Sequence, residues 1–184
     1  MVVIEKGLQD RVETVVANPY EGPPALQAAN PLGKVPALVT DEGRAIFDSP
    51  VICAYLDSLA SEPALIPDGP KRWTVLTNEA LCDGILDAAL GIVMEGRRPE
   101  AQRSPDWLDR WPAAILRSLD AVEAKISGFE GDLTIAQLCL GATLGYLDFR
   151  LPDLSWRNGR PNIKAWFDAF SQRESMIETN PENA

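Results

Sequence analysis

Apolar and polar residues change their spacing once along the chain, near residue 60. Before that point the apolar runs are short and broken by Pro and Gly. "RVETVVA" (Arg11–Ala17) alternates and then turns apolar, which predicts a strand. "GPPALQAAN" predicts one or two helical turns opened by proline. "KVPALVT" and "RAIF" predict two short strands, joined through Asp41-Glu42-Gly43 as a hairpin with Gly43 in the positive-φ position. "SPVICAYLDSLA" predicts a helix, with Ser49 as N-cap, Pro50 at the first helical position, and Ile52, Tyr55, Leu56 and Leu59 on one face.

"SEPALIPDGP" then places three prolines in ten residues, which predicts a linker over 61–70 between a first domain (1–60) and a second (71–184). Everything after it has helical periodicity. A stripe containing Trp73, Leu76, Ala80, Leu81, Ile85, Ala88, Ala89 and Ile92 predicts one long helix. Ser104-Pro105 opens another, carrying Trp107, Trp111, Ile115, Leu119 and Val122, with a kink or restart expected at Pro112. Thr134 and Gln137 stand at capping-box spacing before a run in which Gly141, Ala142 and Gly145 would let another helix come close. A last helix is expected from about Pro161 to Ser171.

Composition narrows the chemistry. The 184 residues are 46% hydrophobic and 24% charged, which fits a soluble globular protein. No apolar run reaches the ~20 residues of a membrane span, and no secretory signal is read at the start. The net charge of −10 argues against nucleic acid and anionic membrane as partners. With no histidine, the commonest general base and most zinc and iron sites are excluded, and no metal is expected. Three widely separated cysteines, Cys53, Cys82 and Cys139, fit reduced thiols in the cytoplasm.

"NPLGKVPAL", "FDSPVICAYLD", the proline-rich linker, "LTIAQLCLGATLGYLDFR" and "RPNIKAWFDAF", in this order and spacing, resemble the glutathione transferase family over essentially the whole chain. The resemblance implies an α+β, thioredoxin-like N-terminal domain followed by an all-α helical domain, in a homodimer. It implies glutathione as substrate and a small electrophile as its acceptor. It assigns a cis Pro36, the Val35 backbone to the cysteinyl main chain, Asp48 and Ser49 to the γ-glutamyl end, and Lys34 to the glycine carboxylate. On the residues alone, Pro36 equally fits a trans edge-strand proline, Ser49 a plain helix cap, and Lys34 a solvated lysine.

In the family, a Tyr, Ser or Cys in the first strand–helix turn handles the glutathione thiol. "MVVIEKGL" reads instead as the end of the first helix: Gly7 fits a left-handed C′ position and Leu8 could close a Schellman motif onto Val3. Val-Val-Ile also fits a strand. On either reading no catalytic residue is identified in the chain, and one is expected upstream of Met1. A non-catalytic binding or interaction module of the same fold is therefore the alternative to an enzyme. Asp83 and Asp87, four apart on the long helix, and the neighbouring thiol of Cys82 are further candidates; the resemblance places that helix along the substrate cleft and the dimer interface.

Overall fold

The computed structural model describes residues 1–181 and divides the chain into two compact units, Val2–Leu65 and one starting at Ile66. In the first unit, helix α1 (Val2–Glu5) is one turn long. Gly7 ends it with φ of 62°, a value that costs glycine nothing for want of a Cβ. Leu8 N–H donates to the Val3 carbonyl at 2.8 Å and Gly7 N–H to the Ile4 carbonyl at 3.0 Å, the paired bonds of a Schellman close.

Helix α2 (Pro24–Ala29) opens on its proline. Strands β1 (Leu38–Val39) and β2 (Ala45–Ile46) pair antiparallel, Leu38 opposite Ile46 and Val39 opposite Ala45. Gly43, with φ of 79°, turns the hairpin as expected. Helix α3 (Ser49–Ser58) faces the unit's interior with Ile52 and Leu56.

The strand expected over Arg11–Ala17 does not form. Gln9–Arg11 is a single 3-10 turn, and Val12 beyond it is extended but joins no ladder among the described residues. Extended backbone becomes a strand only when a neighbour supplies hydrogen bonds, and Val15 and Val16 stay exposed here.

Lysine is almost never fully buried unless paired. The Lys6 side chain is 0% exposed, and its ammonium donates to Asp57 Oδ1 at 2.8 Å and to the Ala60 and Pro63 carbonyls at 2.6 Å each. Asp57 Oδ1 also accepts from Leu65 N–H at 2.9 Å. One side chain thus ties the end of α1 to the end of α3 and the segment after it.

The second unit is helical: α4 (Pro70–Gly96), α5 (Pro105–Glu123), α6 (Ile135–Arg150), α7 (Pro161–Phe170) and α8 (Glu174–Glu178). Helix α6 lies at its centre, packed mainly on α4, with Leu138, Leu140, Leu144 and Leu147 at 2% exposure or less. Each such leucine contributes about 2 kcal/mol of burial. Gln137 Oε1 accepts from Thr134 N–H at 2.6 Å, the reach-back half of the expected capping box. A Cβ at Gly141 would lie 2.6 Å from the Phe170 ring, so glycine is what allows α7 so close.

Two expectations are corrected. Of the kink or restart expected at Pro112, the restart does not occur, because helix α5 is continuous through that residue. The inward line of α4 is Val75, Glu79, Cys82, Ile85 and Ala89, rotated from the expected stripe, and Trp73 is 70% exposed. The inward line includes a glutamate and a cysteine, so the apolar residues alone shifted the face, with Ile85 and Ala89 common to both lines.

Helix ends are satisfied from neighbouring elements. Ser104 N–H donates to Glu95 Oε1 at 2.6 Å, while Arg103 donates back to the Gly96 and Arg98 carbonyls at 2.9 and 3.0 Å. Glu123 likewise caps α7, accepting from Asn162 and Ile163 N–H at 3.0 and 2.8 Å. Among the described residues, no helix is long and apolar enough to cross a membrane.

Candidate functional site

The loop after α2 is built around Asn30, which is 1% exposed. Its N–H donates to the Leu26 carbonyl at 2.7 Å, and its carbonyl accepts from Gly33 N–H at 2.8 Å. Its side chain works in both directions: Oδ1 accepts from Leu32 N–H at 3.0 Å and Nδ2 donates to the Lys34 carbonyl at 2.9 Å. Asparagine is favoured in such turns because its short amide can bond backbone two and four residues on.

The loop delivers Val35, half exposed, and a cis Val35–Pro36 bond, as the resemblance implies. The exposed Lys34 ammonium has no protein partner among the described residues.

Helix α3 starts one residue earlier than expected. Asp48 is the extended N-cap residue, its carbonyl accepting from Ile52 N–H at 2.9 Å, so Ser49 is the first helical residue and Pro50 the second. The Asp48 side chain makes no capping bond, and among the described residues the Ser49 hydroxyl makes no hydrogen bond either. Proline has no N–H, so the first turn offers the free amides of Ser49 and Val51 beside that hydroxyl. The exposed Asp48 carboxylate likewise has no protein partner among the described residues. An anion is favoured by the helix start, and a cation by Asp48 next to it. An α-amino acid end carries both.

Beside this turn, Arg44, Ile46, Phe47, Val51 and Tyr55 line an open hollow of about 520 Å³. Val51 is 53% exposed and Val39 59% exposed, so this part of the unit's surface is apolar.

In the helical unit, Asp83 is half-buried and Asp87 exposed on α4. The spacing of Asp83 and Asp87 did not reveal the third carboxylate of this ladder, Glu79, four residues before Asp83. Burial, and then the Asp83 charge, push the Glu79 carboxyl up to about 7. Cys82 is 0% exposed and its side chain hydrogen-bonds with that of Cys139 on α6, so its thiol faces α6 rather than solvent. Hydrogen bonding with Cys82, together with burial, pushes the Cys139 thiol upward, away from the reactive thiolate. Among the described residues no group of three or more acidic or thiol side chains could hold a metal ion.

Comparison with known proteins bears on both units. The family profile "Glutathione S-transferase, N-terminal domain" matches residues 1–59, and "Glutathione S-transferase, C-terminal domain" matches residues 105–169. The GST-like protein YibF of Escherichia coli is 37% identical over all of this chain and 92% of its own length. A glutathione transferase family member from Pseudomonas fluorescens, solved with bound glutathione, is 40% identical, with a TM-score of 0.93 over 98% of this chain and 90% of its own. A glutathione S-transferase from Methylobacillus flagellatus, also solved with glutathione bound, is 32% identical, with a TM-score of 0.90 over 98% and 91%.

Proposed function

The chain belongs to the glutathione transferase family, and on that footing we propose that it binds glutathione in its first unit and presents the thiol to a small electrophile. One observation carries the reading. The exposed Lys34 ammonium, the exposed Asp48 carboxylate and the half-buried Ser49 hydroxyl all lack protein partners among the described residues, and Val35, next to Lys34 and before the cis proline, is itself half exposed. Their charges match a γ-glutamyl tripeptide. Asp48 takes the ammonium of the γ-glutamyl end. The Ser49 hydroxyl and the Ser49 and Val51 amides take its carboxylate. The Val35 N–H and C=O pair with the cysteinyl main chain as an added strand does. Lys34 meets the glycine carboxylate.

Conjugation then needs the bound thiol as thiolate. Its sulfur forms a bond to the electrophilic carbon; in substitution the leaving group departs with its electron pair, and in addition the carbon's π bond breaks, its pair passing to the neighbouring atom, which then takes a proton from water. Lowering a thiol pKa from ~8.5 by ~2 units takes roughly 2.7 kcal/mol of preferential thiolate stabilisation.

A second reading is a binding module that holds glutathione without turning it over. It is supported by the state of the chain's own cysteines: Cys82 is sealed from solvent, and the Cys139 thiol is held protonated. Calorimetric titration with glutathione, followed by an aryl-halide conjugation assay on the same sample, separates the two. Binding with turnover supports the transferase, binding alone supports the module, and no binding overturns both.

The homodimer and the cytoplasmic location belong to this proposal too. The apolar surface around Phe47 and Val51 supports self-association, and three free cysteines support a reducing compartment. Sedimentation at micromolar concentration tests the first.

A further inference from the structure

Asn30 lies outside the groups assigned above, and a role for it rests on the reading that glutathione pairs with Val35. A trans peptide unit is planar, so the carbonyl of one residue and the N–H of the next point in opposite directions. The Lys34–Val35 bond is trans. Its carbonyl is drawn back into the loop by Asn30 Nδ2 at 2.9 Å. The Val35 N–H belongs to the same plane and is therefore aimed outward. It makes no hydrogen bond among the described residues.

The bonds Asn30 makes are all to its own loop and helix end. The residue is 1% exposed, and its backbone and side-chain groups are bonded to residues 26 to 34. We propose that Asn30 is a positioning residue: it never touches the ligand, but it sets the direction of the Val35 N–H toward the cysteinyl carbonyl of glutathione. With that donor pre-aimed, binding does not have to stop rotation of the Lys34–Val35 unit. Without Asn30 the plane turns freely, and a donor that must first be oriented binds less tightly.

Asn30→Asp isolates this role. The carboxylate has nearly the same shape and keeps an acceptor for Leu32 N–H, but it has no donor for the Lys34 carbonyl. Binding of glutathione is compared by calorimetry with binding of its trans-alkene isostere at the cysteinyl–glycine amide, which lacks the carbonyl that Val35 would meet. Asn30→Asp is expected to weaken glutathione about tenfold, the size of one well-oriented hydrogen bond, and to change the isostere by less than twofold. The isostere also controls for the added negative charge, which acts on both ligands alike.

Equal weakening of both ligands would make Asn30 a brace for the loop and nothing more, and unchanged binding of both would also overturn the proposal. Failure of the unsubstituted protein to bind glutathione is a different result, visible before any variant is made, and it removes the underlying reading and this inference together. Circular dichroism establishes that Asn30→Asp is folded. Should it unfold, Asn30→Ser, too short to reach the Lys34 carbonyl and uncharged, takes its place in the same comparison.

Discussion

Lys6 and Asp57 meet at 2.8 Å with the lysine side chain wholly out of solvent. Burying an ammonium is tolerable only because Asp57 and two carbonyls surround it. Removing one partner of such a pair typically costs about 3–5 kcal/mol, because the other charge remains buried. Asp57→Ala is expected to destabilise the first unit by about that amount, while Lys6→Met leaves behind a carboxylate that is 12% exposed and still accepts from Leu65 N–H, and so costs less. Thermal unfolding of the two variants checks the order. A larger loss for Lys6→Met would show that the hydrogen bonds to Ala60 and Pro63 matter more than the charge left behind.

The Glu79 carboxyl, ordinarily near 4.5, is raised to about 7 in the folded protein. A raised acid binds its proton more tightly when folded, so its contribution to stability is fully present below about pH 4.5 and is lost as pH rises through 7. At 1.36 kcal/mol per unit the loss is about 3 kcal/mol. Glu79→Gln, neutral at every pH, is expected to remove that part of the slope. Urea unfolding from pH 5 to 8 measures it, and identical slopes for both proteins would place the titration elsewhere.

Two glycines one turn apart in α6 are expected to respond oppositely to alanine. At Gly141 the new Cβ would lie 2.6 Å from the Phe170 ring, forcing α7 outward at a cost of about 1–3 kcal/mol. At Gly145 the nearest atom is the Met176 methyl at 3.8 Å, an ordinary contact. Gly145→Ala should therefore stabilise by up to about 1 kcal/mol through helix propensity. Differential scanning calorimetry reads both, and the same sign at the two positions would contradict the packing described.

Ser49→Ala separates ligand binding from stability. Because Ser49 stands inside the helix rather than at its N-cap, and its hydroxyl bonds to nothing among the described residues, the substitution should move stability by less than about 0.5 kcal/mol. If Ser49 holds a carboxylate, glutathione affinity should fall about tenfold, within the ~1.5–3 kcal/mol of a charge-assisted bond. Unchanged affinity by calorimetry would remove Ser49 from the site.

How much the sequence disclosed depends on how local each feature is. Helix α6 was legible because Thr134 and Gln137 lie three residues apart and the apolar run after them is continuous. Gly43 and the Gly7–Leu8 close were legible for the same reason: their bonds fall within one turn. The strand over Arg11–Ala17 failed because strand formation depends on a neighbour that propensity cannot see. The face of α4 was misjudged because Glu79 and Cys82, though polar or small, stand on its inward line. Asn30 carried a readable cue, an asparagine before Pro-Leu-Gly, but which backbone groups its amide would hold became visible only in three dimensions.

The corner between α4 and α5 places constraints on how the protein can vary. Glu95 lends its negative charge to the start of α5, and Arg103 its positive charge to the end of α4. Each side chain belongs to one side of the turn and serves the other. Losing either leaves a helix end bare at the same bend, so the two are interdependent in heredity as well as in space. Among descendants of this sequence, Glu95 and Arg103 are expected to be kept or replaced together. A residue inserted between them would break both bonds at one stroke, which makes this short bend a poorer place for lengthening than its exposure suggests.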